Sequence, residues 1–150
     1  MKILFVLLAT LLCGINFTGM PLQDRQVILE RARRYIEKME PTWKLDSKED
    51  LKDGQVFFWK SDKQSATVSI VTFSSEDEAK TRLLEKINRV PVPHKSKINN
   101  LGDEAFLYQS EGSSTCMLLI RKETVFIQVT ASECANAEKF AKHTIKSIEK

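Results

Sequence analysis

Apolar residues recur along this chain with two different periods, which predict both helices and strands. Over residues 23–39 the apolar positions lie on one arc about 120° wide at 100° per residue, as in an amphipathic helix. Pro41 ends that helix because proline cannot continue the backbone hydrogen bonds. The other face carries opposite charges four residues apart, such as Glu30 and Arg34, which favours a solvated face over a basic binding patch.

Runs of β-branched and aromatic residues predict strands on both sides of a second helix. That helix begins with the capping box of Ser75 and Glu78, and Pro91 ends it. A third helix follows Ser132, which is placed to cap it. The segment between residues 90 and 102 is predicted to be irregular. The predicted strands are residues 55–60 and 66–73, with a further short one at 42–45, and then residues 105–109, 115–121 and 124–131.

Grouped strands with helices between the groups are typical of an α+β fold. The predicted order is α-ββ(β)-α-βββ-α, with about five or six strands in an antiparallel β-sheet that helices pack against. Residues 20–150 suffice for one such core and are too few for two comfortable ones. We therefore predict a single α+β domain over residues 20–150.

The first residues are typical of a secretory signal peptide. Lys2 precedes a run of about ten apolar residues, and a cationic start before a short apolar run is the layout of export signals. Spanning a bilayer requires roughly 20 apolar residues, so this run is too short to do so. We predict a signal peptide over residues 1–19, cleaved between Gly14 and Met20. The mature protein is then secreted or periplasmic, without a transmembrane span.

Export leaves two cysteines in the mature chain. Leu12 stands where a lipoprotein signal needs a small residue, which argues against a lipid anchor at Cys13, so Cys13 leaves with the signal. The remaining pair is Cys116 and Cys134. An even pair of cysteines in an exported chain indicates one disulfide.

Strand geometry supports this pairing. If Lys122 and Glu123 form a two-residue turn, Cys116 lies opposite Val129 on the apolar face of a hairpin. The final helix must cover that face to bury its own apolar residues, which brings Cys134 in its first turn above the neighbouring strand. We predict a structural disulfide over two free thiols or a redox-active pair, because no Cys-x-x-Cys spacing is present to lower a thiol pKa.

Composition and charge exclude several classes of function. A net charge of +3 gives no strong field for nucleic acid or an anionic membrane. The two histidines and three cysteines do not have the spacing of zinc ligands, and the sequence contains no glycine-rich phosphate loop. We therefore predict no metal site and no cofactor. Ser113 and Ser114 lack an identifiable base partner, which argues against a hydrolase triad. His143, next to Lys142 on the polar side of the last helix, is interpreted as a solvated surface residue.

A cationic cluster is the first candidate ligand site. Arg89, His94, Lys95 and Lys97 lie in or beside a segment bracketed by prolines, which could present fixed positive charge to a phosphate or carboxylate. The alternative, a rigid soluble connector, is the simpler interpretation.

Aromatic residues form the second candidate. Phe57, Phe58 and Trp59 are consecutive in a strand, so at least one ring faces away from the core that the others join. Either a second helix layer covers that ring or it forms an exposed site for a ligand or partner. Trp59 and Trp43 are our candidates for apolar ligand contacts.

The order of elements and two short motifs carry a family resemblance. Gly102, Asp103, Glu104 and Ala105 lead into a strand, and residues 120–122 precede another strand rich in Val and Ile. From residue 23 to the end, the chain resembles small exported bacterial domains of unknown function, some of them lipid-anchored. Their α/β/α sandwiches are similar to the P-subunit family of the oxygen-evolving complex. The resemblance implies a non-enzymatic exported module and brings no catalytic residue.

These observations predict an exported, non-catalytic binding or assembly-type domain for an unknown small ligand or protein partner, without nucleic acid. Two alternatives stay open. A small hydrolase-like enzyme acting on an anionic substrate would need His94 within hydrogen-bond reach of Asp103 or Glu104. A secreted inhibitor would offer residues 91–100 to a target's cleft as a protruding loop.

Overall fold

Three helices and seven strands make up residues 22–90 and 95–149, the part of the chain that the computed structural model describes. The predicted signal peptide and His94 lie outside the described residues. The helices are α1 (Leu22–Met39), α2 (Glu76–Arg89) and α3 (Cys134–Ile148). The strands are β1 (Lys44–Leu51), β2 (Gly54–Ser61), β3 (Gln64–Thr72), β4 (Lys95–Ile98), β5 (Glu104–Gln109), β6 (Cys116–Lys122) and β7 (Val125–Ala131).

All seven strands form one antiparallel sheet in the order β1-β2-β3-β7-β6-β5-β4. The predicted α+β fold with an antiparallel sheet and packed helices is confirmed, but the predicted five or six strands is too few. The additional strand, β4, falls in the segment predicted to be irregular, and β1 extends six residues beyond the predicted 42–45. Both are edge strands with mostly polar side chains, so they lack the apolar alternation by which a strand is predicted.

The two faces of the sheet carry separate apolar cores. α1 and α3 pack against each other and cover one face, called here the inner face. α2 packs on the opposite, outer face, mainly against β6 and β7, and therefore covers only half of it. The smaller outer core consists of Leu83, Ile87, Tyr108, Leu119 and Phe126.

The β6–β7 hairpin turns one residue later than predicted. Its turn residues are Glu123 and Thr124. Glu123 adopts a φ of 51°, a left-handed conformation that the sequence pattern does not predict for a glutamate. Cys116 consequently lies opposite Ala131 and not Val129. Because the pairing shifts by two positions, every side chain keeps its face of the sheet, and the predicted apolar face is buried as expected.

A disulfide joins Cys116 of β6 to Cys134 in the first turn of α3, with their Cα atoms 5.0 Å apart. Cys116 is fully buried beneath α3. The predicted link between the last helix and its hairpin is confirmed.

The helix ends show one prediction confirmed and one wrong. α2 begins at the predicted cap, where the Ser75 hydroxyl accepts a hydrogen bond from the backbone N–H of Glu78 at 3.2 Å. α3 begins at Cys134, and its N-cap residue, Glu133, makes no side-chain capping hydrogen bond. The Ser132 hydroxyl, predicted to cap α3, instead accepts from the backbone N–H of Ser65 at 3.3 Å and joins the helix start to β3.

Candidate functional site

Both tryptophans predicted as apolar ligand contacts lie in the inner core. Trp43 is 6% exposed and Trp59 is 1% exposed. Each packs its indole ring against Phe140 of α3, with ring centroids 4.9 Å apart for Trp43 and 6.0 Å apart for Trp59. Burial removes both indoles from the surface: Trp59 of β2 and Trp43, which precedes β1, pack against α3 and present no face to a ligand.

Phe58 is the ring of the aromatic triplet that faces away from the inner core. Phe57 and Trp59 are buried on the inner face, whereas Phe58 lies on the outer face and is only partly buried. α2 covers the β6 and β7 half of this face, while Phe58 stands on the other half. The aromatic residue that remains accessible is therefore neither of the two tryptophans.

Two described members of the predicted cationic cluster, Arg89 and Lys97, lie on the outer face. Arg89 ends α2, and β4 begins at Lys95. Lys97 is exposed and lies opposite Phe106 of β5, whose ring packs against the outer core. Arg89 at the end of α2 and Lys97 in the edge strand β4 are therefore both exposed on the outer face, eight positions apart in the chain, and we refer to this part of the outer face as its corner.

Lys86 joins this corner, although the sequence analysis did not select it. It lies one helical turn before Arg89 on the same face of α2, the spacing at which two side chains are neighbours. Burial first, and then the charges of Arg82 and Arg89, lower the pKa of the Lys86 ammonium below its ordinary value. We call Lys86, Arg89 and Lys97 the cationic corner.

All three residues of the cationic corner lack an acidic partner among the described residues, as do some basic residues elsewhere, for example Arg31 and Lys146. On α1, by contrast, Arg34 contacts Glu30 at 2.7 Å, as the four-residue spacing predicts. On α3, Lys139 contacts Glu40 at 3.4 Å and Lys142 contacts a glutamate one turn earlier. The basic residues of α1 and α3 are thus paired in part within the protein, whereas none of the three members of the corner is.

A buried hydroxyl accompanies the corner. Tyr108 of β5 is 7% exposed, and its side-chain oxygen has no hydrogen-bond partner among the described residues. Burial raises the pKa of this phenol above its ordinary value. In the sheet it stands opposite Lys95, the first residue of β4. Tyr108 belongs to the outer core beneath α2 and adds one unpaired polar group on the same face of the sheet as the corner.

His143 is not the solvated surface residue that the sequence analysis predicted. Its Nε2 lies 2.9 Å from Oε1 of Glu40, and both side chains are nearly buried between the end of α1 and α3. Lys139 approaches the other carboxylate oxygen at 3.4 Å. Glu40 and His143 are 103 positions apart in the sequence, so no local spacing could reveal this contact. The pair holds two helices together.

The carboxylates that the enzyme alternative requires are already engaged. Asp103 accepts a hydrogen bond from the backbone N–H of Glu123 at 2.6 Å and contacts Arg121 at 3.2 Å, while Glu104 contacts Arg121 at 3.4 Å. Burial opposes ionisation of Asp103, but that backbone bond and the charges of Lys122 and Arg121 lower its pKa overall. These groups form a charge network that closes the loop before β5, an arrangement typical of a structural role.

The position of β4 also bears on both alternatives. Lys95, where β4 begins, pairs with Tyr108 at the opposite end of β5 from Glu104, about 14 Å away along the strand. Lys95–Ile98 lies in the sheet and does not protrude as an inhibitor loop would. Residues 99–100 of that loop form a bend after β4, and residues 91–94 are outside the described ranges.

Neither a metal-binding cluster nor a membrane-spanning helix occurs within residues 22–90 and 95–149. No cluster of three or more His, Cys, Asp or Glu side chains suited to a metal ion occurs among those described. None of the helices in the described ranges combines the length and apolar character needed to cross a bilayer.

Comparison with known proteins finds a shared fold. No protein-family model and no curated protein matches the chain. Among solved structures, the chain is similar to a GTP-binding regulator from Thermotoga maritima, with a TM-score of 0.59 and 16% identity over 81% of this chain and 87% of that one. At this identity the likeness shows the fold alone.

Proposed function

We propose that the protein is an exported, non-catalytic binding module whose cationic corner holds an anionic ligand or the anionic part of a partner. The observation that carries the proposal is the set of three outer-face cations, two in the last turn of α2 and one in β4, that have no acidic partner among the described residues. Like charges one turn apart destabilise a helix by about 0.2–0.5 kcal/mol per pair. Partial burial of Lys86 adds a desolvation cost. An anion bound between the side chains would remove both costs.

A simpler cause accounts for part of this arrangement. Cations in the last turn of a helix interact favourably with the helix dipole, and Lys86 and Arg89 both lie there. Lys97, however, belongs to β4 and gains nothing from the dipole of α2. Its presence at the same corner favours binding over helix stabilisation alone.

Export and rigidity are consistent with this role. The apolar N-terminal run predicts secretion, and the disulfide between Cys116 and Cys134 suits an oxidising compartment. A stapled scaffold positions surface side chains with little loss of entropy on binding. The solved structure with a similar fold is that of a GTP-binding regulator, so we choose GTP as one of the two anions for the test.

The test is a titration of the oxidised mature protein with inorganic triphosphate and with GTP, followed by amide chemical shifts. We expect saturable, salt-sensitive binding of at least one of the two, with shifts centred on the end of α2 and on β4. The triple variant Lys86→Gln, Arg89→Gln, Lys97→Gln should weaken it at least tenfold, since charge-assisted contacts are lost.

The matched control removes the same charge elsewhere, with Arg31→Gln, Lys142→Gln and Lys146→Gln on α1 and α3. All three residues are exposed, so the control should fold and bind as the unaltered protein does. Equal weakening in both triple variants would mean that only net charge matters. That result, or no saturable binding of either anion, would contradict the proposal.

A further inference from the structure

A groove runs between α2 and the ends of β1 and β3 on the outer face, away from the cationic corner. Its volume is about 730 Å³, within the range of protein binding sites. Leu51, Val71 and Phe73 form an apolar floor, and the first three turns of α2 form one wall. Leu51 is 42% exposed, while the other two are half-buried.

The groove marks the place where the outer layer of the fold stops. Two helices, α1 and α3, cover the inner face, but α2 is the single described helix on the outer face and packs mainly on β6 and β7. The neighbouring half, on β2 and β3, leaves Val56 and Phe58 partly accessible beside the groove. A helix lying next to α2, at the usual 8–10 Å between axes, would cover these side chains and complete the layer.

The rim of the groove is acidic although the protein is basic overall. Four acidic residues line it against two basic ones, whereas the whole chain carries a net charge of +3. Asp53 is neutralised by Arg25 at 2.9 Å, but Asp77 forms no ion pair with the described residues, and Glu85 has only Arg82 at 3.4 Å. Asp77 and Glu85 stand about 12 Å apart along α2 and border the apolar floor.

We propose that this groove binds an amphipathic helix of a partner protein, with apolar residues on the side that faces the sheet and Lys or Arg residues along the side that faces α2. The apolar floor supplies the burial, and the acidic wall selects basic over acidic helices. This inference is independent of the cationic corner, because the two surfaces have opposite charge and share none of their residues.

The experiment uses two fluorescent peptides of about 20 residues, long enough to form a helix. One peptide has leucine on one face and lysine on the other, and its counterpart has glutamate in place of lysine. The oxidised mature protein should bind the lysine peptide saturably and at least tenfold more tightly than the glutamate peptide, with amide shifts in β3, in α2 and at residues 51–53. Leu51→Ser and Glu85→Lys should each weaken binding of the lysine peptide at least fivefold.

Matched controls replace residues of similar exposure away from the groove. Val27→Ser on α1 matches Leu51→Ser, because Val27 is 48% exposed, and Glu138→Lys on α3 matches Glu85→Lys. Both controls should bind as the unaltered protein does. The proposal is overturned if neither peptide saturates below about 1 mM, if the two peptides bind equally, if the controls weaken binding as much as the groove variants, or if the shifts fall on α1 and α3.

Discussion

Reduction of the disulfide between Cys116 and Cys134 provides a quantitative test of how α3 is held to the sheet. The two residues are 18 positions apart. In the chain-entropy model a loop of this length restricts the unfolded chain enough to stabilise the folded state by about 3 kcal/mol. For a domain of this size, that corresponds to a fall in Tm of about 10 °C when the bond is removed.

The measurement is urea unfolding of the mature protein with and without a reductant. We expect a lower midpoint in the reduced protein together with a steeper dependence of unfolding free energy on urea, because the reduced unfolded chain exposes more surface. The double variant Cys116→Ala, Cys134→Ala serves as the control. The difference in unfolding free energy between this variant and the reduced protein measures the packing lost with the two sulfur atoms. One of these atoms belongs to the fully buried Cys116.

Two results would refute the reasoning. Equal midpoints for oxidised and reduced protein would mean that the cross-link does not restrict the unfolded chain. An intact mass showing two free thiols in the native, oxidised protein would mean that the bond does not form.

Three further predictions concern single side chains. Gly102→Ala should destabilise the protein by about 1–3 kcal/mol in urea unfolding, since Gly102 has a φ of +66° and a Cβ atom there would lie 2.6 Å from a backbone carbonyl oxygen; an unchanged midpoint would argue against this loop conformation. His143→Ala should lower stability by about 1–3 kcal/mol, because the buried Glu40 carboxylate loses the closer of its two partners, at 2.9 Å, and keeps only Lys139 at 3.4 Å, and thermal unfolding would show whether Tm falls. Hydrogen bonds from Arg33 and then from a second arginine lower the pKa of Glu30 from 4.5 to about 2, so the stabilisation is present above pH 4.5 and is lost as the pH falls towards 2. The stability difference between the unaltered protein and Glu30→Gln should therefore shrink over that interval, and a difference that grew on acidification would contradict the assignment.

The candidate site could be predicted only in part. The positive charge of Arg89 and Lys97 is a property of the sequence, and so is their position on either side of a short connection. The missing member, Lys86, could have been found from the spacing of basic residues on α2. Whether an acidic residue neutralises a given cation depends on contacts between distant segments, which the sequence pattern does not contain.

The two tryptophans illustrate the limit of local patterns. Alternation within β2 correctly separates Trp59 from Phe58, since successive side chains point to opposite faces. The distribution of α1, α2 and α3 over the sheet decides which face is covered by two helices and which is only half covered, by one helix. That distribution places both indoles in the core and leaves Phe58 accessible.

By itself, the sequence determines the elements whose signals are local: three amphipathic helices, the apolar strands of the centre of the sheet, and the face of the hairpin on which Cys116 lies. Tertiary structure alone decides the polar edge strands, the turn at Glu123, and the contact of Glu40 with His143. The physical reason is the range of the forces involved. Periodic burial and helix capping act over a few residues, whereas edge pairing and buried ion pairs form only after distant parts of the chain have come together.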